Sequence, residues 1–112
     1  MPHYVSLINW TEQGVKNFRD TTKRADDFSA LAKRHGGKVE SLLWTVGEYD
    51  IVSVVEFPDD ESSVAALLEL GAAGNVRTKT MKAFSSDEMT GIIGRTGWQR
   101  LRIRQADFPP IS

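Results

Sequence analysis

Lys38-Val39-Glu40-Ser41-Leu42-Leu43-Trp44-Thr45-Val46-Gly47-Glu48-Tyr49-Asp50-Ile51-Val52-Ser53-Val54-Val55-Glu56-Phe57 is the stretch on which the fold turns. Ile51 to Phe57 is an almost continuous apolar run, the pattern of a strand covered on both faces at the centre of a sheet. Lys38 to Val46 reads as a strand before it. The four residues between them, Gly47 to Asp50, include a glycine and are the right length for a hairpin connection.

Outward from this hairpin, Pro58 stops the strand. Asp59, Asp60 and Glu61 then open a helix expected to carry Val64, Leu67, Leu68 and Leu70 inward, with Gly71 and Gly74 bracketing its end. Asn75 to Phe84 alternates as a further strand, and Ser85 or Ser86 caps a short helix with Asp87 and Glu88 in its first turn. Upstream, Tyr4 to Trp10 is a short β-branched and aromatic run. Thr11 stands where a helix-capping hydroxyl belongs. The helix after it is expected to reach His35, with Val15, Phe18, Ala25, Phe28, Leu31 and Ala32 as its apolar stripe. Asp20, Thr21 and Thr22 form a weak stretch that divides or bends it. Gly36 and Gly37 end it.

The order strand, helix, strand, strand, helix, strand is the ferredoxin-like βαββαβ plan, an α+β fold. Right-handed crossovers give a four-stranded antiparallel sheet of order 4-1-3-2, with both helices on one face. The other face has no helix of its own. Its apolar residues need a cover, so self-association into a homodimer or higher oligomer is expected.

Composition narrows the chemistry. The 112 residues contain no cysteine, which excludes disulfides, iron–sulfur clusters, cysteine-ligated zinc and thiol nucleophiles. The net charge of −1 hides a split: residues 1–91 sum to −4, whereas residues 92–112, with Arg95, Arg100, Arg102 and Arg104 against Asp107, sum to +3. The division expected is a ferredoxin-like domain over 1–91 and a basic extension over 92–112 that packs on the body or on a neighbouring subunit. The body repels phosphate and the extension holds no reader motif, so nucleic acid is not the expected partner. No apolar stretch is long enough to span a bilayer, and Met1 to Trp10 lacks the basic and apolar segments of a secretory leader. A cytoplasmic location follows as the expectation.

The hairpin and its surroundings also carry a family resemblance. Trp44 to Val52 with Glu56-Phe57-Pro58-Asp59-Asp60, then Gly74 to Thr80 and Ala83-Phe84, together with Tyr4, Thr11, Gln13 and Gly14, resemble the GYD domain family, named for a glycine, an aromatic residue and an aspartate at this turn. Here that motif reads Gly47-Glu48-Tyr49-Asp50. The resemblance covers roughly residues 3–90 and leaves the tail from Gly91 outside it. It implies a relative of the dimeric α/β barrel proteins, in which two sheets pack face to face. That wider group includes cofactor-free oxygenases, haem enzymes and ligand-sensing modules, and the fold does not choose among them.

Two polar groupings are expected. Asn9, Trp10, Glu56, Asn75 and Arg77 are placed at one end of the sheet, and Tyr4, Thr45, Tyr49, Asp50 and Phe84 at the other. Glu56 and Arg77 read either as an ion pair or as a proton acceptor beside an anion anchor. Asp50 is a second candidate base, or a turn carboxylate accepting backbone amides. Asn9, Trp10, Tyr49, Asn75 and Arg77 are the candidate ligand contacts. His3 and His35 have no evident co-ligands, and the second helix has no histidine to meet a haem iron, so neither a metal nor haem is expected. No nucleophile elbow or phosphate loop is present.

Two readings of function stay open: a module binding a small organic ligand without a cofactor, in a pocket at the sheet–helix or subunit interface, or an oxygenase- or isomerase-like enzyme with Glu56 or Asp50 as base. A structural or regulatory assembly protein is the third, with a haem-binding member as the disfavoured alternative beside it.

Overall fold

A computed structural model describes residues 1–97. The elements are β1 (His3–Trp10), α1 (Glu12–Lys16), a 3-10 turn (Phe18–Asp20), α2 (Thr21–Arg34), β2 (Lys38–Trp44), β3 (Ile51–Glu56), α3 (Asp60–Ala72), β4 (Val76–Ala83) and α4 (Ser86–Arg95). The strands form one antiparallel sheet in the order β2-β3-β1-β4, as expected.

Strand alternation sorts the sheet into two faces. Tyr4, Ser6 and Ile8 of β1, with Ile51, Ser53 and Val55 of β3, are buried beneath the helices, and Tyr4 stands opposite Val55, Ser6 opposite Ser53 and Ile8 opposite Ile51. Phe57, Phe28, Leu31, Ala32 and Ala66 close the core with Tyr4 and Val55. Tyr4 and Phe57 meet edge to face, 5.9 Å between ring centres. Each fully buried Phe or Leu of this kind contributes about 1.5–3 kcal/mol. The core layer has a polar stripe across its middle: the Ser6 and Thr80 hydroxyls are 2.8 Å apart, while the buried Ser53 hydroxyl has no partner among the described residues.

The weak stretch at residues 17–20 divides the first helix. α1 is a one-turn piece capped by Thr11, whose hydroxyl accepts the Gly14 amide at 3.1 Å, and α2 starts only at Thr21. The break turns Val15 and Phe18 outward, 48% and 50% exposed, so they are not part of the core stripe. α3 is rotated relative to its expected face: Ser63 and Ala66 are buried, and Val64 and Leu68 are exposed. In a close-packed layer the inner row has room for side chains of fitting size, and here the small ones occupy it. Asp59 caps α3 through the Ser62 amide at 2.7 Å, and Ser85 caps α4 in a reciprocal capping box with Glu88. α4 continues to Arg95, past residue 91; the remaining basic extension from residue 98 lies outside the described residues, as does its expected packing.

Gly14 is required by a close approach. A Cβ there would sit 1.9 Å from the Asn75 carbonyl oxygen. Gly36, at φ +79°, supplies the left-handed turn that ends α2.

Candidate functional site

Between the sheet and the pair α2 and α3 lies a cleft of about 570 Å³. Ile8, Ile51 and Leu42 form its floor, and Ala25, Phe28, Leu31 and Leu70 its helical walls. Trp10, Asn75 and Val76 line the end where β1 finishes and β4 begins. This volume is within the range of small-molecule sites, which are apolar with a few polar groups. Here most of the charged groups already have partners. Arg24 donates to the carbonyls of Asn17 and Gly14 at 2.7 and 3.1 Å. Glu69 faces His35 at 2.8 Å and Arg34 at 3.5 Å, and the His35 hydrogen bond is the main reason its carboxyl is held below the ordinary range. The Trp10 indole N–H is buried without a partner among the described residues.

The expected polar groupings are corrected by strand direction. β1 and β3 are antiparallel, so the last residue of β3 lies beside the first of β1: Glu56 stands opposite His3, and Ile51 opposite Ile8. Glu56 is therefore at the far end of the sheet from Asn9, Trp10, Asn75 and Arg77, and no Glu56–Arg77 pair exists. Asp50 joins the end from which Glu56 is removed, because the β2–β3 hairpin turns back beside Trp10. Tyr4 and Phe84 stay at the other end. The face also divides the candidates. Trp10 and Asn75 line the cleft, whereas Asn9 and Arg77, paired in register, lie on the open face.

What these residues do locally is structural. The Asp50 carboxylate accepts the Trp10 amide at 2.9 Å, and its own amide donates to the Ile8 carbonyl at 2.9 Å, so Asp50 ties the hairpin to the end of β1. Thr45 holds the same turn through the Tyr49 carbonyl. Tyr49 carries Lys79 over its ring at 5.7 Å. Asn75 receives Thr11 N–H on its carbonyl at 3.1 Å and the Gln13 amide on its side chain at 3.0 Å, fastening α1 to the entry of β4. Tyr4 donates from its hydroxyl to Asp60, and Lys82 faces the same carboxylate at 3.2 Å. These two hydrogen bonds, Tyr4 first, lower the Asp60 carboxyl, while burial and then Asp60 raise the Tyr4 phenol.

A second grouping, not foreseen in the sequence, lies at the end Glu56 occupies. His3 Nε2 is 3.1 Å from Glu56 Oε1 and 3.4 Å from Glu40 Oε2, and His3 Nδ1 is 3.6 Å from Glu88 Oε1. Glu40 reaches it through an irregularity of β2, whose pairing with β3 shifts register between Val39 and Ser41.

The open face of the sheet carries Val5, Leu7, Val52 and Val54, all half-buried, beside Leu43 and Met81, which are 62% and 51% exposed. No helix described is long and apolar enough to cross a membrane.

Comparison with known proteins agrees with the fold and the hairpin motif. The GYD domain matches residues 4–93. This chain belongs to the GYD domain family. One relative of this GYD domain is a Thermus thermophilus protein named "Glutamine synthetase and cystathionine beta-lyase binding protein"; it is 30% identical over 84 residues, a match covering 74% of this chain and 88% of the relative. In the GYD domain described here, the residues that carry the resemblance, Tyr4, Thr11, Gln13, Gly14, Asp50 and Asn75, are engaged in joining elements.

Proposed function

We propose that this GYD domain is a binding module that docks, as a homo-oligomer, on a metabolic enzyme of the kind for which its Thermus relative is named, glutamine synthetase or cystathionine β-lyase. The observation that carries this reading is that relative's match, which spans most of both chains. The geometry supports binding over catalysis. The two carboxylates first read as bases are at opposite ends of the sheet, Asp50 is occupied by a backbone amide, and Arg77 is remote from Glu56. A general base needs its proton donor within hydrogen-bond reach in one pocket, and neither carboxylate lines the cleft.

Two surfaces suit the role. The apolar open face is covered by a second copy, and the cleft under α2 and α3 takes a small apolar ligand whose presence tunes docking. The test is an affinity pull-down with the full chain as bait and purified glutamine synthetase and cystathionine β-lyase from the same organism as prey. Retention of one of them at stoichiometric level supports the reading. Retention of neither, at concentrations of tens of micromolar, removes it.

A further inference from the structure

The imidazole of His3 has two carboxylate oxygens on one of its nitrogens. Nε2 lies 3.1 Å from Glu56 Oε1 and 3.4 Å from Glu40 Oε2, and the three donor atoms lie within 4.8 Å of one another. A single N–H serves one acceptor well, and a neutral nitrogen lone pair facing two carboxylates is repelled by both. A shared cation resolves the conflict. Bonds of about 2.1 Å from one metal ion to a nitrogen and an oxygen place those atoms about 3.0–3.4 Å apart, for angles between octahedral and tetrahedral. Both measured separations fall in that interval.

The other ring nitrogen supplies an independent observation. His3 Nδ1 is buried and makes no hydrogen bond among the described residues, yet Glu88 Oε1 faces it at 3.6 Å. A histidine that binds metal through one nitrogen commonly turns its other N–H toward a carboxylate, which fixes the tautomer and strengthens the ligand. The four residues come from four elements: β1, the register shift in β2, the last position of β3 and the first turn of α4. Glu88 is itself held in place, since its Oε1 accepts the Ser85 amide at 3.0 Å.

We infer that His3, Glu40 and Glu56 form a site for a divalent transition-metal ion, with Glu88 as the positioning carboxylate behind the imidazole. One nitrogen and two carboxylate oxygens without a thiolate suit Zn²⁺, Co²⁺ or Mn²⁺, and three protein ligands leave a coordination position open for water or for a donor group of a partner. The side chains are 23–35% exposed, so an ion can enter from solvent. This inference stands apart from the docking partner proposed above.

The experiment is calorimetric titration of chelator-treated full-length protein with ZnCl₂ at pH 7, with the His3 ring nitrogens followed by long-range ¹H–¹⁵N NMR. One Zn²⁺ per chain and a displaced His3 Nε2 resonance are expected. His3→Gln, Glu40→Gln and Glu56→Gln are each expected to weaken binding at least about tenfold, and Glu88→Gln about 10- to 100-fold. His35→Gln is expected to leave it unchanged. Melting curves without metal separate loss of ligand from loss of fold, and the wild-type Nε2 shift decides the matter if a variant unfolds. Absence of stoichiometric Zn²⁺ binding, an unmoved His3 ring, or full affinity in His3→Gln would each overturn the proposal; an imidazolium simply bridging Glu40 and Glu56 produces the first two results.

Discussion

The Asp50 carboxylate accepts the backbone N–H of Trp10 at 2.9 Å, and through it the β2–β3 hairpin is fastened to the last residue of β1. Asp50→Ala leaves that amide without its partner, at a cost of about 1–3 kcal/mol. Asp50→Asn keeps an acceptor oxygen and is expected to cost less, about 1 kcal/mol. Urea unfolding of both variants checks the order. Equal stability of wild type and Asp50→Ala would show that the carboxylate does no structural work and return it to the list of candidate bases.

Ser53 is the opposite case. Its hydroxyl lies on the core side of the central strand β3, in a fully buried residue, with no acceptor or donor among the described residues. Removing an unpaired buried hydroxyl relieves its desolvation, so Ser53→Ala is expected to be neutral or to stabilise by up to about 1 kcal/mol. Ser6→Ala, by contrast, strands the Thr80 hydroxyl and is expected to destabilise. Thermal melts of the two variants, moving in opposite directions, are the check.

The Tyr4–Asp60 contact gives stability a pH signature. Asp60 is lowered by the Tyr4 hydroxyl first and Lys82 second, so the stability it contributes is present above the ordinary aspartate value near 4 and is lost as pH falls through its lower folded value. Tyr4 is raised, by burial first, so its contribution is present below its ordinary value near 10 and is lost as pH rises beyond it. Tyr4→Phe is therefore expected to be destabilised relative to wild type at pH 7, with the gap narrowing below pH 4, and the Asp60 carboxyl titrates higher in the variant. NMR titration of the Asp60 side chain reads this directly.

The open face is expected to be an interface between copies. Leu43 and Met81 protrude from it, on β2 and β4, on either side of the half-buried valines of the central strands. Leu43→Arg combined with Met81→Arg places charge against charge across a self-complementary contact. Light scattering after size exclusion is expected to give a multiple of 12.5 kDa for wild type and the single-chain mass for the double variant. A wild-type protein at single-chain mass contradicts the interface.

The order of elements was legible because Lys38 to Phe57 contains its own arbitration. A continuous apolar run, a short glycine-bearing link and a stopping proline leave few alternatives. The strand order followed from crossover handedness. Residue clustering is harder to read: in an antiparallel pair the C-terminal end of one strand meets the N-terminal end of its neighbour, so like ends do not collect together. That rule, applied to β1 and β3, brings Glu56 to His3 and takes it from Arg77. Glu40 was less accessible, because a register shift inside β2 depends on backbone geometry that no residue type there announces. The outward turn of Val64 and Leu68 was hidden for a related reason. Hydrophobicity alone marks them as core, yet the smaller Ser63 and Ala66 are the buried ones.

Enzyme binding is the proposed role of this GYD domain. It is tested most directly by isothermal titration of the purified full-length protein into purified glutamine synthetase and, separately, cystathionine β-lyase from the same organism. A saturable heat with a fixed stoichiometry and a dissociation constant at or below the micromolar range is expected for one of them. Asp50→Asn, which removes the charge of the second candidate base, is expected to leave that affinity unchanged. Dilution heats alone for both enzymes, with the protein folded and oligomeric in the same sample, would contradict it.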